Sequence, residues 1–315
     1  MSSKRSRVHP KYKTKYRVTN WPEYDRSLVQ RGDISLLLSP TAIAGWKAKL
    51  SRRRGAQQKY SDLAIEAVLT LRLLLHLPLR QAEGFLASII EFMGVHLDVP
   101  DHTTLSRRGR QLDIRLRSLL SAGPIHLVVD SSGLAILGEG EWAAVKHGGK
   151  GIQGWRMLHI GVDASGMIVA QALTDSNVYD ATTGVDLIDQ TGADIRTVIG
   201  DAAYDTRPFY RAAVNRGAGV VVPPTRKAAV TWRRCPARDK TIRRVGKIGR
   251  RRWKKESGCH RQARVENVFF RFKPIIGDRL RARSSDGQVV EARLACNILN
   301  RLRNLGSPVS VPFGT

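Results

Sequence analysis

Long apolar runs are absent from this sequence of 315 residues. None comes near the roughly 20 consecutive apolar residues that a membrane-spanning helix needs, so a membrane span is excluded. The first residues, Met1 to Arg7, also lack the apolar segment of a secretory signal. We therefore expect a cytoplasmic protein without a membrane partner.

Cysteine is scarce, with three residues in the chain, Cys235, Cys259 and Cys296. They form no Cys-x-x-Cys pair and their number is odd, which argues against a disulfide framework and against a zinc site. We expect all three to be reduced thiols.

Acidic residues are few, because 27 Asp and Glu stand against 53 Lys and Arg, for a formal net charge of +26. An excess of this size indicates a polyanionic partner, of which nucleic acid is the obvious example. A ribosomal or chromatin-packing protein would share the charge. However, 42% hydrophobic content in a chain of this length can bury one or two cores, which is more scaffold than packing proteins commonly need.

Composition and pattern divide the chain into three parts. Residues 1–57 form a basic arm with several Tyr and Trp residues, a mixture that can bind phosphates and bases. Residues 58–120 are predicted to form a helical region. Residues 121–308 are predicted to form a catalytic domain with a basic insertion at 225–257.

The helical region contains three amphipathic segments. Ser61 can cap the first helix, and Pro78 can start the second. Arginines near the start of the third helix are typical of a recognition helix in the major groove, which predicts DNA contacts by Arg107, Arg108 and Arg110. The alternative, three helices that pack together and touch no DNA, stays open.

The catalytic domain is predicted to contain three antiparallel strands, a helix, a strand, a second helix and a last strand. This β-β-β-α-β-α-β order is that of the ribonuclease-H-like fold. We therefore expect an α/β fold, with a mixed five-stranded sheet and flanking helices. A helical, helix-turn-helix-like DNA-binding region would precede this ribonuclease-H-like domain, and an amphipathic helix at 287–304 would close it.

Three acidic residues are placed for metal chemistry. One apolar strand leads into Asp130, with 131–133 predicted as a turn, and another leads into Asp201. These two carboxylates lie side by side if the strands are neighbours in one sheet. Glu266 lies in a predicted helix at 260–276. Because carboxylate oxygens hold Mg²⁺ beside phosphates, the three acids predict a metal site for phosphodiester chemistry.

Helical periodicity supports a catalytic role for Glu266. Lys273 lies seven residues later on the same face, where it could hold a phosphate near the metals. Val265, Phe269 and Phe272 follow the spacing of a core-facing stripe. A lone Glu on such a helix is usually solvated, and the basic residue together with the two upstream acids favours catalysis here.

A second basic block, at 226–255, interleaves Lys and Arg with Trp232 and Trp253. A disordered linker of this length is unusual in a compact domain, so we expect a DNA-binding loop beside the active site. Two other acids are interpreted differently from the triad. Asp163 is predicted to form a turn, and Asp205 to support the site or to cap the next helix.

Taken in order, the motifs resemble those of the transposases of the insertion-sequence-five (IS-five) group, which carry a D-D-E triad on a ribonuclease-H-like domain. The similarity runs from about residue 10 to Pro308. It is carried by the segments VVDSSGL (128–134), GEGEW (138–142), KHG (146–148), WRMLH (155–159), GDAAYDT (200–206) and PP (223–224).

The resemblance implies a DNA transposase that binds the terminal inverted repeats of an insertion sequence. It would hydrolyse phosphodiester bonds at the element ends and join the 3′-hydroxyl to target DNA by two-metal chemistry. Asp130, Asp201 and Glu266 would ligate Mg²⁺, for which Mn²⁺ can substitute, and Lys273 would join the catalytic set. The partner would be double-stranded DNA, bound by a homodimer or a higher assembly in the bacterial cytoplasm, associated with the nucleoid.

Further DNA contacts are expected from basic and aromatic residues of the catalytic domain. They are Lys146, His147, Trp155, Arg156, Arg233, Arg234, Arg251, Arg252, Arg261 and Arg264.

The family signature around the glutamate has a Tyr seven residues before it, an Arg four before it and a Lys seven after it. This chain keeps Lys273 and has Cys259 and Gln262 at the other two positions, with Arg261 and Arg264 nearby. Two alternatives stay open. One is a ribonuclease-H-like nuclease or resolvase that cuts according to DNA structure, and the other is an inactive relic that acts as a DNA-binding regulator.

Overall fold

The computed structural model describes residues 16–34, 38, 40–49, 54–55, 57–118, 123–136, 154–232 and 234–312. The predictions for Lys146, His147 and Arg233, for residues 1–15 of the basic arm, and for the motif at 138–142 lie outside the described residues. Within the described ranges, no helix has the length and apolar character needed to cross a bilayer.

Within the described residues, a mixed sheet of six strands organises the molecule. Its strands are β2 (Ile125–Ile136), β3 (Trp155–Val162), β4 (Ile168–Asp175), β5 (Ile195–Ile199), β6 (Gly219–Val221) and β7 (Arg279–Leu280). The order across the sheet is β4-β3-β2-β5-β6, with β7 paired to the end of β2. β3 is antiparallel to β2 and β4, whereas β5, β6 and β7 join in parallel. The mixed α/β prediction is confirmed and is consistent with a ribonuclease-H-like fold. The predicted number of five strands is wrong, because β7 pairs with the end of β2 as a sixth.

The strand β2 continues past Asp130, so the predicted turn at 131–133 is wrong. These three residues pair with residues 157–159 of β3. The small size of these residues suggested a turn. At Gly133, the small size instead makes room for Trp155, because a Cβ there would lie 3.2 Å from the Trp155 ring. A glycine in a strand interior often marks such a close approach.

Helices surround the sheet and form the region that precedes it. They are α1 (Trp21–Gln30), α2 (Pro40–Ala44), α3 (Asp62–Leu74), α4 (Leu79–Phe92), α5 (His102–Gly109), α6 (Asp180–Gln190), α7 (Arg207–Asn215), α8 (Pro236–Ile248), α9 (Arg250–Glu256), α10 (Ala263–Ile275) and α11 (Ser285–Leu305). Short 3₁₀ turns at Ala202–Tyr204 and Cys259–Gln262 precede α7 and α10. A separate two-stranded antiparallel sheet joins β1 (Tyr16–Val18) to β8 (Ser310–Pro312).

The three predicted helices of the helical region are present as α3, α4 and α5. Ser61 caps α3 by accepting a hydrogen bond from the Ala64 amide at 3.2 Å. Asp101 caps α5 through the amides of Thr103 and Thr104, at 2.9 and 2.8 Å. The three helices begin where the caps predict them. The third ends at Gly109, however, so Arg107 and Arg108 lie in its last turn and Arg110 follows it, which corrects their predicted place near its start. The helix-turn-helix role stays a prediction.

The described part of the chain forms two hydrophobic cores, on opposite faces of the sheet. Because side chains alternate along β2, Val128 and Asp130 share one face, and Leu127, Val129 and Ser131 share the other. The Val128 face packs against α10 and α11, and side chains of α3, α4 and α5 extend the same core. The Leu127 face packs against α6 and α7. The helical region and the catalytic sheet therefore share buried side chains, and the predicted boundary near residue 120 stays a prediction.

The basic insertion is folded into α8 and α9, which corrects the prediction of a loop. Some side chains of this basic segment are buried, since Arg238, Asp239 and Trp253 are each less than a tenth exposed. Arg238 forms a bidentate ion pair with Asp205, which lies in the catalytic domain before α7. The two charged helices are therefore amphipathic, with these buried side chains on one face of each.

Candidate active site

The register of the sheet brings Asp130 and Asp201 to neighbouring positions. Val128 of β2 pairs with Ile199 of β5 in a parallel ladder, and each residue stands two positions before its carboxylate. The predicted adjacency of these strands is confirmed. Gly200 separates β5 from Asp201, which caps the 3₁₀ turn by accepting a hydrogen bond from the Ala203 amide at 2.8 Å.

Glu266 reaches the same region from α10. This helix packs on β2 and β3, on the face of the sheet that carries Asp130. The predicted core stripe is confirmed, because Val265, Phe269 and Phe272 are buried. Glu266, in the first turn of the helix, is exposed.

Lys273 follows in the last turn of α10 and is also exposed. Both ends of the predicted Glu266 and Lys273 pair are therefore open to solvent. Whether Lys273 holds a phosphate stays a prediction.

The charges of the other two predicted acids act on Asp130. Burial raises the pKa of Asp130 to about 6, and the negative charges of Asp201 and Glu266 contribute to the rise. A hydrogen bond from the Ser131 amide to Asp130 Oδ1, at 2.9 Å, opposes it by favouring the charged form. Both negative charges thus disfavour the ionised form of Asp130.

A divalent cation fits this set of donors. Among the described residues, no three Asp, Glu, His or Cys side chains lie close enough together to form a metal site as they stand. Asp130, Asp201 and Glu266 nevertheless supply hard carboxylate oxygens, which Mg²⁺ and Mn²⁺ prefer. Asp201 and Glu266 are exposed, so a cation and a phosphate can reach them. Bound positive charge would favour the ionised form of Asp130, whose pKa is raised by burial and by the neighbouring carboxylates.

A fourth carboxylate, Asp180, was missed by sequence reasoning. It is the first residue of α6, and its Oδ1 accepts a hydrogen bond from Ser131 Oγ at 2.7 Å. The same oxygen lies 3.5 Å from Nδ1 of the fully buried His159. Asp180 also contributes to the raised pKa of Asp130. An acid in the first turn of a helix is a common local pattern, so the sequence carried no signal of this contact.

Gln262 and Cys259, the two residues that differ from the family signature, both make contacts within the protein. Gln262 Nε2 donates a hydrogen bond to the Val129 carbonyl, one residue before Asp130, at 3.2 Å. Its Oε1 is buried and has no hydrogen-bond partner among the described residues. Cys259 is buried, which raises the pKa of its thiol. Gln262 therefore contacts the strand that carries the first acid.

The arginines on either side of Gln262 differ in environment. Arg261 is half-buried, and its Nη1 lies 3.1 Å from Nε2 of His126 on β2. Arg264 is exposed in the first turn of α10. Arg264 is therefore the more accessible of the two predicted DNA contacts.

The three arginines predicted for the recognition helix do not share one surface. Arg107 and Arg110 are exposed. Arg108 is buried and donates hydrogen bonds to the Tyr60 carbonyl at 3.0 Å and to Asp62 Oδ1 at 2.5 Å. The prediction of Arg108 as a DNA contact is wrong, because its guanidinium joins α5 to the start of α3.

The remaining predicted contacts divide in the same way. Arg156 is largely buried, forms an ion pair with Asp175 and donates to Ser285 Oγ at 2.9 Å, so it joins β3 and β4 to α11. Its guanidinium is thus engaged within the protein, and its role as a DNA contact stays a prediction. Trp155 is half-exposed beside it. The other predicted contacts in the described part of the insertion are exposed, namely Arg234, Arg251 and Arg252.

Comparison with protein families gives two matches. A family model described as "Transposase DDE domain" matches residues 121–301, which is more than half of the chain. A second model with the same description matches residues 29–139. The first match contains Asp130, Asp201 and Glu266.

Proposed function

The chain belongs to the transposase DDE-domain family of DNA-cleaving and strand-transferring enzymes, and we propose that it is the transposase of an insertion sequence of the IS-five group. It binds the terminal inverted repeats, hydrolyses a phosphodiester bond at each end and joins the exposed 3′-hydroxyl to target DNA. The family implies DNA as the substrate and divalent metal ions as the cofactor.

The observation that carries the proposal is the convergence of Asp130, Asp201 and Glu266. Two neighbouring strands and one helix supply them, and the charges of Asp201 and Glu266 act on Asp130. A divalent ion held by these oxygens, Mg²⁺ or Mn²⁺, would activate water and neutralise charge on the phosphate. The protein's own share is to hold DNA and the three carboxylates in a fixed relation, which is where phosphoryl-transfer enzymes gain most of their rate. Lys273, on the same helix as Glu266, is proposed to hold a phosphate.

A groove between α4 and α5 is the first proposed DNA surface. It has a volume of about 850 Å³ and is lined by Arg80, Arg107 and Arg110, with Asp286 as its acidic residue. Guanidinium groups suit phosphate recognition because they donate several hydrogen bonds in one plane. This groove supports a role for the helical region in binding the element ends.

The basic insertion is the second proposed DNA surface. Arg251, Arg252, Lys254 and Lys255 are exposed on α9, while Trp253 between them is buried. Burial of Trp253 packs the helix against the protein, while the basic side chains around it stay exposed to solvent. Charge of this kind binds phosphates without reading sequence, so it favours a role in holding the DNA backbone near the carboxylates.

Pairing two element ends requires two active sites. We therefore propose that the protein works as a homodimer or a higher assembly on double-stranded DNA.

The function is tested by comparing Asp201→Asn with Asp194→Asn. Asp201 follows the carboxyl end of β5, and the exposed Asp194 precedes its other end, so the two changes remove the same charge from opposite ends of one strand. Asn at position 201 can still accept the Ala203 hydrogen bond. We expect Asp201→Asn to abolish Mg²⁺-dependent cleavage of a labelled element end and to leave gel-shift binding intact. Equal cleavage by both variants would contradict the proposal.

A further inference from the structure

A polar cluster lies on the reverse face of β2, directly behind Asp130. Ser131 and His159 are cross-strand partners on β2 and β3. Their face is covered by α6, whose first residue is Asp180. Ser131 Oγ donates to Asp180 at 2.7 Å, and His159 Nδ1 lies 3.5 Å from the same oxygen. Three polar side chains therefore meet on this face, where His159 is fully buried and Asp180 is 31% exposed.

Among the described residues, two buried polar atoms on this face of the sheet lack a hydrogen-bond partner. His159 is fully buried, and its Nε2 pairs with Thr174 Oγ1 at 2.8 Å, but Nδ1 has no hydrogen-bond partner among the described residues. The hydroxyl of Tyr204, a residue 1% exposed, is likewise unpartnered within the described ranges. Asp180, Asp130 and Asp201 all act electrostatically on that hydroxyl. Buried polar groups of this kind are rare and call for an explanation.

Ser131 connects the cluster to the active site. Its amide donates to Asp130 Oδ1 at 2.9 Å, while its hydroxyl donates to Asp180 Oδ1 at 2.7 Å. One residue thus holds the first acid on one face of the sheet and Asp180 on the other. A shift of Asp180 would move Ser131 and, through the amide, the carboxylate of Asp130.

We propose that Asp180 is a positioning residue of the carboxylate centre, fixing Asp130 through Ser131 and adding negative charge that favours a divalent cation. This inference rests on the proposed function, because it assumes that Asp130 binds the metal. Partners that orient metal ligands commonly change metal affinity by 10–100-fold when they are replaced.

The ordinary role of Asp180 would be to stabilise the start of α6. An acid in the first turn interacts favourably with the helix dipole, and α6 has no side-chain cap. That role explains neither the bond from Ser131 nor the buried His159 beside it. It also predicts a different result, since a helix-start residue affects stability and leaves metal affinity unchanged.

The test measures Mn²⁺ affinity by paramagnetic resonance of the free ion, using the full-length protein without DNA. Asp180→Asn removes the charge and keeps an oxygen that can accept from Ser131. Ser131→Ala removes the bond and keeps the charge. The matched control is Asp189→Asn, which removes the same charge from an exposed position at the far end of α6.

We expect both Asp180→Asn and Ser131→Ala to weaken Mn²⁺ binding by about 10-fold or more, with unfolding midpoints in the absence of metal close to that of the unmodified protein. Asp189→Asn should bind as the unmodified protein does. If Asp180→Asn binds Mn²⁺ normally while Asp130→Asn does not, the positioning role is wrong and the proposed function stands. If Asp130→Asn also binds normally, the proposed metal site itself is wrong.

Discussion

Replacing Arg238 by Met would test how the basic insertion is attached to the catalytic sheet. Arg238 of α8 donates from Nε to Asp205 Oδ1 at 2.6 Å and from Nη2 to Oδ2 at 2.8 Å. The Asp205 side chain is fully buried, and that of Arg238 is 11% exposed. Without the guanidinium, Asp205 keeps a hydrogen bond from the Thr225 amide, at 2.9 Å, and loses its charge partner.

The expected cost follows from this burial. Removing one member of a buried ion pair leaves the other charge uncompensated, which typically costs about 3–5 kcal/mol. Met has a similar length and no branch, so little of the loss should come from a cavity. We therefore expect Arg238→Met to lower the free energy of unfolding by about 3–5 kcal/mol.

Urea denaturation followed by circular dichroism measures the loss, and Arg244→Met is the matched control. Arg244 also forms a bidentate pair, with Glu256 at 2.9 and 2.7 Å, but both side chains are more than two-fifths exposed. Water solvates the partner left behind, so the control should be far less destabilised. Equal losses in the two variants would refute the reasoning and show that burial of the Arg238 pair does not decide its contribution.

Two further comparisons test packing and DNA contact. Gly184→Ala places a Cβ 2.8 Å from the Tyr204 ring, so we expect overpacking to cost about 1–3 kcal/mol in thermal denaturation. Gly192→Ala meets open space and should not destabilise, and equal melting temperatures would contradict this account. Arg107→Ala should weaken DNA binding and reduce the salt-dependence slope by about one, whereas Arg108→Ala should mainly lower stability. If both variants show the same salt dependence of DNA binding, solvent exposure does not decide which of these two arginines contacts DNA.

Local patterns were sufficient for several elements of the fold. The start of α3 at Ser61 and the buried stripe of α10 follow from capping and periodicity, which depend on neighbouring residues alone. The adjacency of Asp130 and Asp201 was also predictable, because two apolar segments that each lead into an acid suggest neighbouring strands of one sheet. These features carry the candidate active site.

Features that depend on distant partners were missed or misread. The 131–133 segment has turn composition, yet it continues β2 because β3 pairs with it and Trp155 needs the space above Gly133. Arg108 has the spacing of a DNA contact, but its partners lie at the start of α3. Asp180 looks like an ordinary first-turn acid until α6 is placed on the sheet. Such roles emerge only from the tertiary fold.

The basic insertion shows the same limit for charge. Its Lys and Arg content predicted a loop, because charge runs are usually solvated. The structure forms two helices there, since Arg238 and Trp253 are buried on one side of them. Composition predicted the basic surface of the insertion. It could not predict the buried ion pair that attaches α8 to the catalytic domain, because the partner, Asp205, lies more than 30 residues away along the chain.

The most direct test of the central claim compares the protein with its Glu266→Gln variant on a labelled duplex that carries the element end, together with supercoiled target DNA, with and without Mg²⁺. We predict Mg²⁺-dependent nicking at the end and joined products for the unmodified protein, and loss of both with DNA binding retained for Glu266→Gln. Binding without cleavage by the unmodified protein, or equal cleavage by the variant, would contradict the assignment of Asp130, Asp201 and Glu266 as the catalytic centre.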